Sequence, residues 1–120
     1  MTTVWIVNNA GHDFSLAKQY GELRDITRGN LDIFRPDRNL FNITETLLEF
    51  DSKVDYLLLS GNVLANMMVA SVLFLVHKVK SINLLIYDAK NCVYLNHNLV
   101  LDKSTKQLKF VRKRTDELAA

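Results

Sequence analysis

Three uninterrupted apolar runs stand out along the chain, at Val4–Val7, Leu57–Leu59 and Leu84–Ile86. Runs of this length, bounded by polar and turn residues, read as strands buried on both faces. Asn8-Asn9-Ala10-Gly11 ends the first strand, and Asp13 or Ser15 then caps a short helix that runs to Tyr20 and stops at Gly21. Residues 22–27 form a weaker strand with Leu23 and Ile26 inside, broken by Arg28-Gly29-Asn30. After a loop around Pro36, with Asp37 as its cap, Leu40, Ile43, Leu47 and Phe50 recur at helical spacing and predict a helix over 38–50. Residues 55–59 are the next strand, closed by Ser60-Gly61-Asn62. Residues 63–79 then predict a helix buried on most sides, packing through Leu64, Met67, Met68, Val72 and Leu75. Residues 82–87 form another strand, and Asp88-Ala89-Lys90-Asn91 turns the chain back into an antiparallel partner at 92–95. The segment 99–113 reads as a hairpin across Lys103–Lys106 or as one helix face through Leu108, Val111, Thr115 and Leu118, and the hairpin is preferred.

The order β-α-β-α-β-α-β-β predicts an α/β domain: a mainly parallel, Rossmann-like sheet, covered on both faces, with an antiparallel C-terminal edge. At 120 residues the chain is one domain, with 103–120 as a basic C-terminal extension. A domain of this size folds without help from a metal or a disulfide. The single cysteine, Cys92, has no internal partner and reads as a small apolar strand residue. His12, His77 and His97 are scattered and form no close metal-binding pair. Neither a cofactor nor a metal is called for.

Val63–Val76 is the most apolar stretch and is shorter than the ~20 residues of a bilayer span. Met1-Thr2-Thr3 has none of the basic character of a signal peptide, so a cytoplasmic protein is expected. The net charge of +2 is uneven: 103–114 holds six bases and no acid, while 1–102 holds nine bases and eleven acids. Such a tail can touch nucleic acid weakly through phosphates. It has Phe110 but no interleaved aromatics for stacking, and a lysine-protected edge hairpin accounts for it equally.

Ligands of open parallel α/β sheets bind beyond the carboxyl ends of strands, at helix N-termini. That rule selects three glycine-containing polar loops: Asn8–Asp13, Thr27–Asn30 and Ser60–Asn62. Their candidate ligand-binding residues are Asn9, Gly11, His12, Asp13, Arg28, Ser60, Gly61 and Asn62. The spacing matches neither G-x-G-x-x-G nor a P-loop. The same residues also serve as ordinary turn residues, and Ser60 or Asn62 as a cap for the long helix. His12 beside Asp13 is the candidate for acid–base work, since a histidine can titrate near neutrality. Ser60 lies outside any G-x-S-x-G elbow. Arg28, Arg35 and Arg38 can grip phosphate or carboxylate, or simply be solvated. His77 reads as a partner for a helix C-terminus.

The segments V-W-I-V-N-N-A-G-H-D-F-S, D-Y-L-L-L-S-G-N and I-N-L-L-I-Y-D resemble small proteins of unknown function encoded by bacteriophages and mobile elements, over about residues 4–97. The resemblance implies a viral accessory protein acting in a host bacterial cytoplasm, of a kind that inhibits host machinery or sequesters a host nucleotide signal. It brings no catalytic motif.

Three readings follow. The first is a noncatalytic binding module for a small anionic or nucleotide-like ligand held by the eight loop residues. The second is a protein-interaction module that inhibits or recruits a host protein, recognisable by an exposed apolar patch or a homo-oligomer face. The third is a small enzyme using His12.

Overall fold

The computed structural model describes residues 2–112. Six strands form one sheet: β1 (Thr3–Asn9), β2 (Glu22–Arg28), β3 (Tyr56–Leu58), β4 (Ser81–Asp88), β5 (Val93–Asp102) and β6 (Gln107–Arg112), in the order β2-β1-β3-β4-β5-β6. Two α-helices accompany them, α1 (Pro36–Thr46) and α2 (Val63–Ser71).

The strand order decides which face each connection covers. From β1 the chain steps outward to β2, then returns over β1 to β3 and continues to β4. Crossovers between parallel strands are right-handed. The reversal of direction therefore sends the first connection to one face and α1 and α2 to the other. On the helix face, Trp5, Val7, Leu57, Ile82 and Leu84 pack against Ile43 and Leu47 from the α1 segment and Ala65, Met68, Val69, Val72 and Leu73 from the α2 segment. On the opposite face, Val4, Ile6, Leu58 and Leu85 meet Phe14, Ala17 and Tyr94. The only helix there among the described residues is a six-residue 3₁₀ turn, Ser15–Tyr20.

The mainly parallel, Rossmann-like fold expected from the sequence is thus corrected to a mixed sheet with few helices. β1 pairs in parallel with β2 and β3, and β3 with β4, through six, three and three residue pairs. The antiparallel ladders β4–β5 and β5–β6 hold eight and six, so antiparallel pairs outnumber parallel ones by fourteen to twelve. The reason lies in β5, which runs unbroken through Asn96-His97-Asn98 and joins the two separate short strands expected at 92–95 and 99–101. Asn98 donates to Asn83, which donates in turn to the Asp55 carbonyl, whereas the buried side-chain oxygen of Asn96 has no partner among the described residues. The segment 103–106 turns the chain from β5 into β6, and residues 113–120 of the basic extension lie outside the described residues.

The helices differ from expectation in detail. α1 begins at Pro36, whose missing N–H costs nothing in the first turn, and passes into a 3₁₀ turn at Leu47–Glu49. α2 is capped by Asn62, whose side chain accepts from the Ala65 amide, and gives way to a π-helical turn at Val72–Val76. It is buried on one face only. Leu75 and Met67, expected inside, are exposed, and Leu73 and Val69 are buried in their place. Cys92 is no strand residue; it is exposed in the β4–β5 turn with a left-handed backbone. Among the described residues no helix is long and apolar enough to cross a membrane.

Candidate functional site

The carboxyl ends of β1 and β3 are where the chain reverses its direction across the sheet, and loops leave them toward opposite sides. Such a switch point opens a crevice. One buried residue, Asn8, organises it. Its side-chain amide donates to Thr27 Oγ1 and to the Gly29 carbonyl, both at 3.0 Å, and its side-chain oxygen accepts from the Asn62 amide at 2.9 Å. Its backbone N–H and carbonyl both bond the Ser60 hydroxyl. The three glycine-containing loops are therefore tied together at one end of the sheet.

This tie fixes the roles of several candidate residues. Ser60 spends its hydroxyl on the Asn8 backbone, and Asn62 caps α2. Gly61 has φ +67°, and a Cβ there would lie 2.2 Å from the Asn8 side-chain oxygen, so only glycine fits. Asn9 donates to Asp25 and accepts from the Gly11 amide. Arg28 is paired with Asp25, and its own side chain is largely solvated.

Two cavities flank the segment His12-Asp13-Phe14. The first, of about 520 Å³, is lined among others by Asn9, His12, Asp13, Lys18, Asp25 and Arg28. The second, of about 340 Å³, is lined by His12, Asp13, Phe14, Leu58, Leu59, Ser60, Gly61, Tyr87 and Tyr94. His12 and Asp13 border both. Arg28 and Ser60 do not share a cavity, and Gly11 and Asn62 line neither.

Asp13 also fixes the local backbone. Its carboxylate accepts from the Ser15 amide at 2.9 Å at the start of the 3₁₀ turn, and that bond holds its pKa below the usual aspartate value. No hydrogen bond or ion pair joins His12 to Asp13 among the described residues. Nor do three or more His, Cys, Asp or Glu side chains gather there as a metal site requires.

The sequence reading missed Asn8 and the two tyrosines. Tyr87 and Tyr94 face each other across the β4–β5 hairpin, rings 5.2 Å apart and tilted by 58°. A signal existed for both. Asn8 continues the alternation Val4, Ile6, Asn8, which places its side chain on a buried face. The tyrosines stand on either side of the turn at 88–92, where hairpin pairing makes them opposite. Burial raises the pKa of Tyr94, and the neighbouring Cys92 side chain raises that of Tyr87.

No curated protein and no solved structure matches the chain. The profile of the phage Pam3 gp32-like proteins matches residues 2–101. That span takes in β1 through nearly all of β5, with the Asn8 tie and both cavities, and the chain belongs to the phage Pam3 gp32-like family.

Proposed function

We propose that this phage protein is a noncatalytic binding module for a small anionic, nucleotide-like ligand, seated where the strand order reverses between β1 and β3. The observation that carries the reading is the second cavity. Its volume of about 340 Å³ lies at the lower end of the range for small-molecule sites, and its wall joins an aromatic pair, Tyr87 and Tyr94, to the polar Ser60-Gly61 backbone. A planar base stacks against tyrosine, as bases do on aromatic platforms generally. Across His12-Asp13, Lys18 and Arg28 in the neighbouring cavity supply cations for a phosphate. Ser60 and Asn62 then act as scaffold, with their polar groups already committed. Binding without turnover suffices for a decoy that sequesters a host signal.

Calorimetric titration with a panel of nucleotides and cyclic nucleotides tests this reading. Binding is expected, with Tyr87→Ala weakening it roughly tenfold through loss of stacking. Arg28→Ala is expected to weaken it while leaving the melting temperature nearly unchanged, as for a surface substitution. Absence of heat with every nucleotide overturns the proposal.

A further inference from the structure

We propose that the outward face of α1 and α2 is the contact between two copies of this chain, joined about a two-fold axis beside Phe41. The face is on the opposite side of the sheet from the second cavity, so the proposal stands independently of the ligand reading.

The first observation is area. Phe41 is 64% exposed, Leu48 65%, Val63 83%, Met67 66% and Leu75 74%, with Val76 exposed beside it. Thr44, one turn from both Phe41 and Leu48, meets the His77 ring through its carbonyl at 3.3 Å, which brings the two helical segments together at Val76. At roughly 100 Å² of exposed surface each, six such side chains expose on the order of 600 Å². That is the upper end of what a monomer shows, and close to the ~800 Å² that each partner buries in a standard interface.

The second observation is charge, and it selects the occupant. No charged residue lies between Val63 and Val76, so a copy can approach this strip without like-charge repulsion. Arg38, Phe41 and Glu45 on α1, and Leu48 in the 3₁₀ turn that continues it, follow one another at helical spacing, and all are exposed. Neither Arg38 nor Glu45 is in an ion pair among the described residues. They lie three residues before and four after Phe41. A two-fold contact is self-complementary. With α1 antiparallel to its own copy and centred between Phe41 and Asn42, Arg38 of each chain faces Glu45 of the other. The helix therefore carries both halves of a charge pair that only a second copy, reversed in direction, completes.

Sedimentation equilibrium of the full chain across a dilution series tests the proposal. The wild type is expected to show a mass twice 13.8 kDa that dissociates on dilution. Phe41→Asp is expected to raise the dissociation constant by roughly thirtyfold or more while keeping the far-ultraviolet spectrum of the fold. Arg38→Glu and Glu45→Arg are each expected to weaken the dimer, and the double swap to restore it. A wild type that stays monomeric overturns the proposal. So does a dimer indifferent to Phe41→Asp, or one that the double swap fails to restore. Recovery of the chain bound to a different protein through Phe41 would replace the second copy with that partner and equally overturn it.

Discussion

Replacing Asn8 by Ala removes three side-chain hydrogen bonds at once, to Thr27, Gly29 and Asn62. It leaves the Gly29 carbonyl without its donor and the Asn62 amide without its acceptor, in a place where Asn8 itself is buried. Unsatisfied groups of this kind cost more than the bonds themselves contribute. The expected loss is about 2–4 kcal/mol, measured by urea unfolding. At this scale the sequence was only partly legible. Glycine and asparagine near strand ends mark turns, and the turns were found. What a linear reading cannot supply is which polar atoms are consumed by one another. Ser60 and Asn62 read either as ligand residues or as a cap for the long helix; Asn62 is that cap, and Ser60 is committed to the Asn8 backbone. His12, read as the acid–base candidate, borders both cavities but is not paired with Asp13, whose carboxylate serves the backbone.

The helix after β3 shows where periodicity misleads. Apolar positions from Val63 onward are so dense that every face qualifies as buried: Met67 joins the expected stripe of Leu64, Met68 and Val72 although it is exposed within α2, and the stripe extends to Leu75. The π turn at Val72–Val76 breaks that extension. It takes one more residue per turn than an α-helix, closing with the His77 amide on the Val72 carbonyl at 2.9 Å. Leu73, one α-helical turn beyond the buried Val69, stays in the core, while Leu75, inside the wider turn, faces outward. Leu73→Ala is expected to cost about 2–5 kcal/mol, as for large-to-small changes in a packed core. Leu75→Ala is expected to stay within about 0.5 kcal/mol, provided both are measured by chemical unfolding at a dilution where the chain is monomeric. The strands were more legible than the helices, because Val4–Val7 and the runs in β3 and β4 are buried on both faces and leave no alternation to misread.

Over the whole molecule, aspartates close several turns onto a following backbone amide, Asp32 and Asp51 among them, and at three of these turns the pKa is shifted as well. Asp13 accepts from the Ser15 amide, Asp88 from Lys90 and Asn91, and Asp102 from Ser104 and Thr105. These bonds hold all three pKa values below the usual aspartate value, side-chain donors leading at Asp88 and Asp102. The folded state therefore prefers the ionised carboxylates. Their contribution is whole above the unfolded-state pKa and is lost as the pH falls through the folded values. Urea unfolding over a pH series is expected to show stability declining in that acid range, and replacement of all three by Asn to flatten the decline. The fold class escaped the sequence because parallel and antiparallel ladders share one apolar signature; only the length of β5, which runs on through Asn96, His97 and Asn98, shifts the balance. At the middle of the sheet β3 is three residues wide, between the β1–β2 pair and the β4–β5–β6 meander. Side chains bridge its two ends: Asp55 to Thr3 and Trp5 before it, Ser60 to Asn8 after it. Under mechanical load the molecule has a seam there. Pulled across the strands, it parts between β1 and β3 into a two-stranded and a four-stranded piece once those two polar clasps let go.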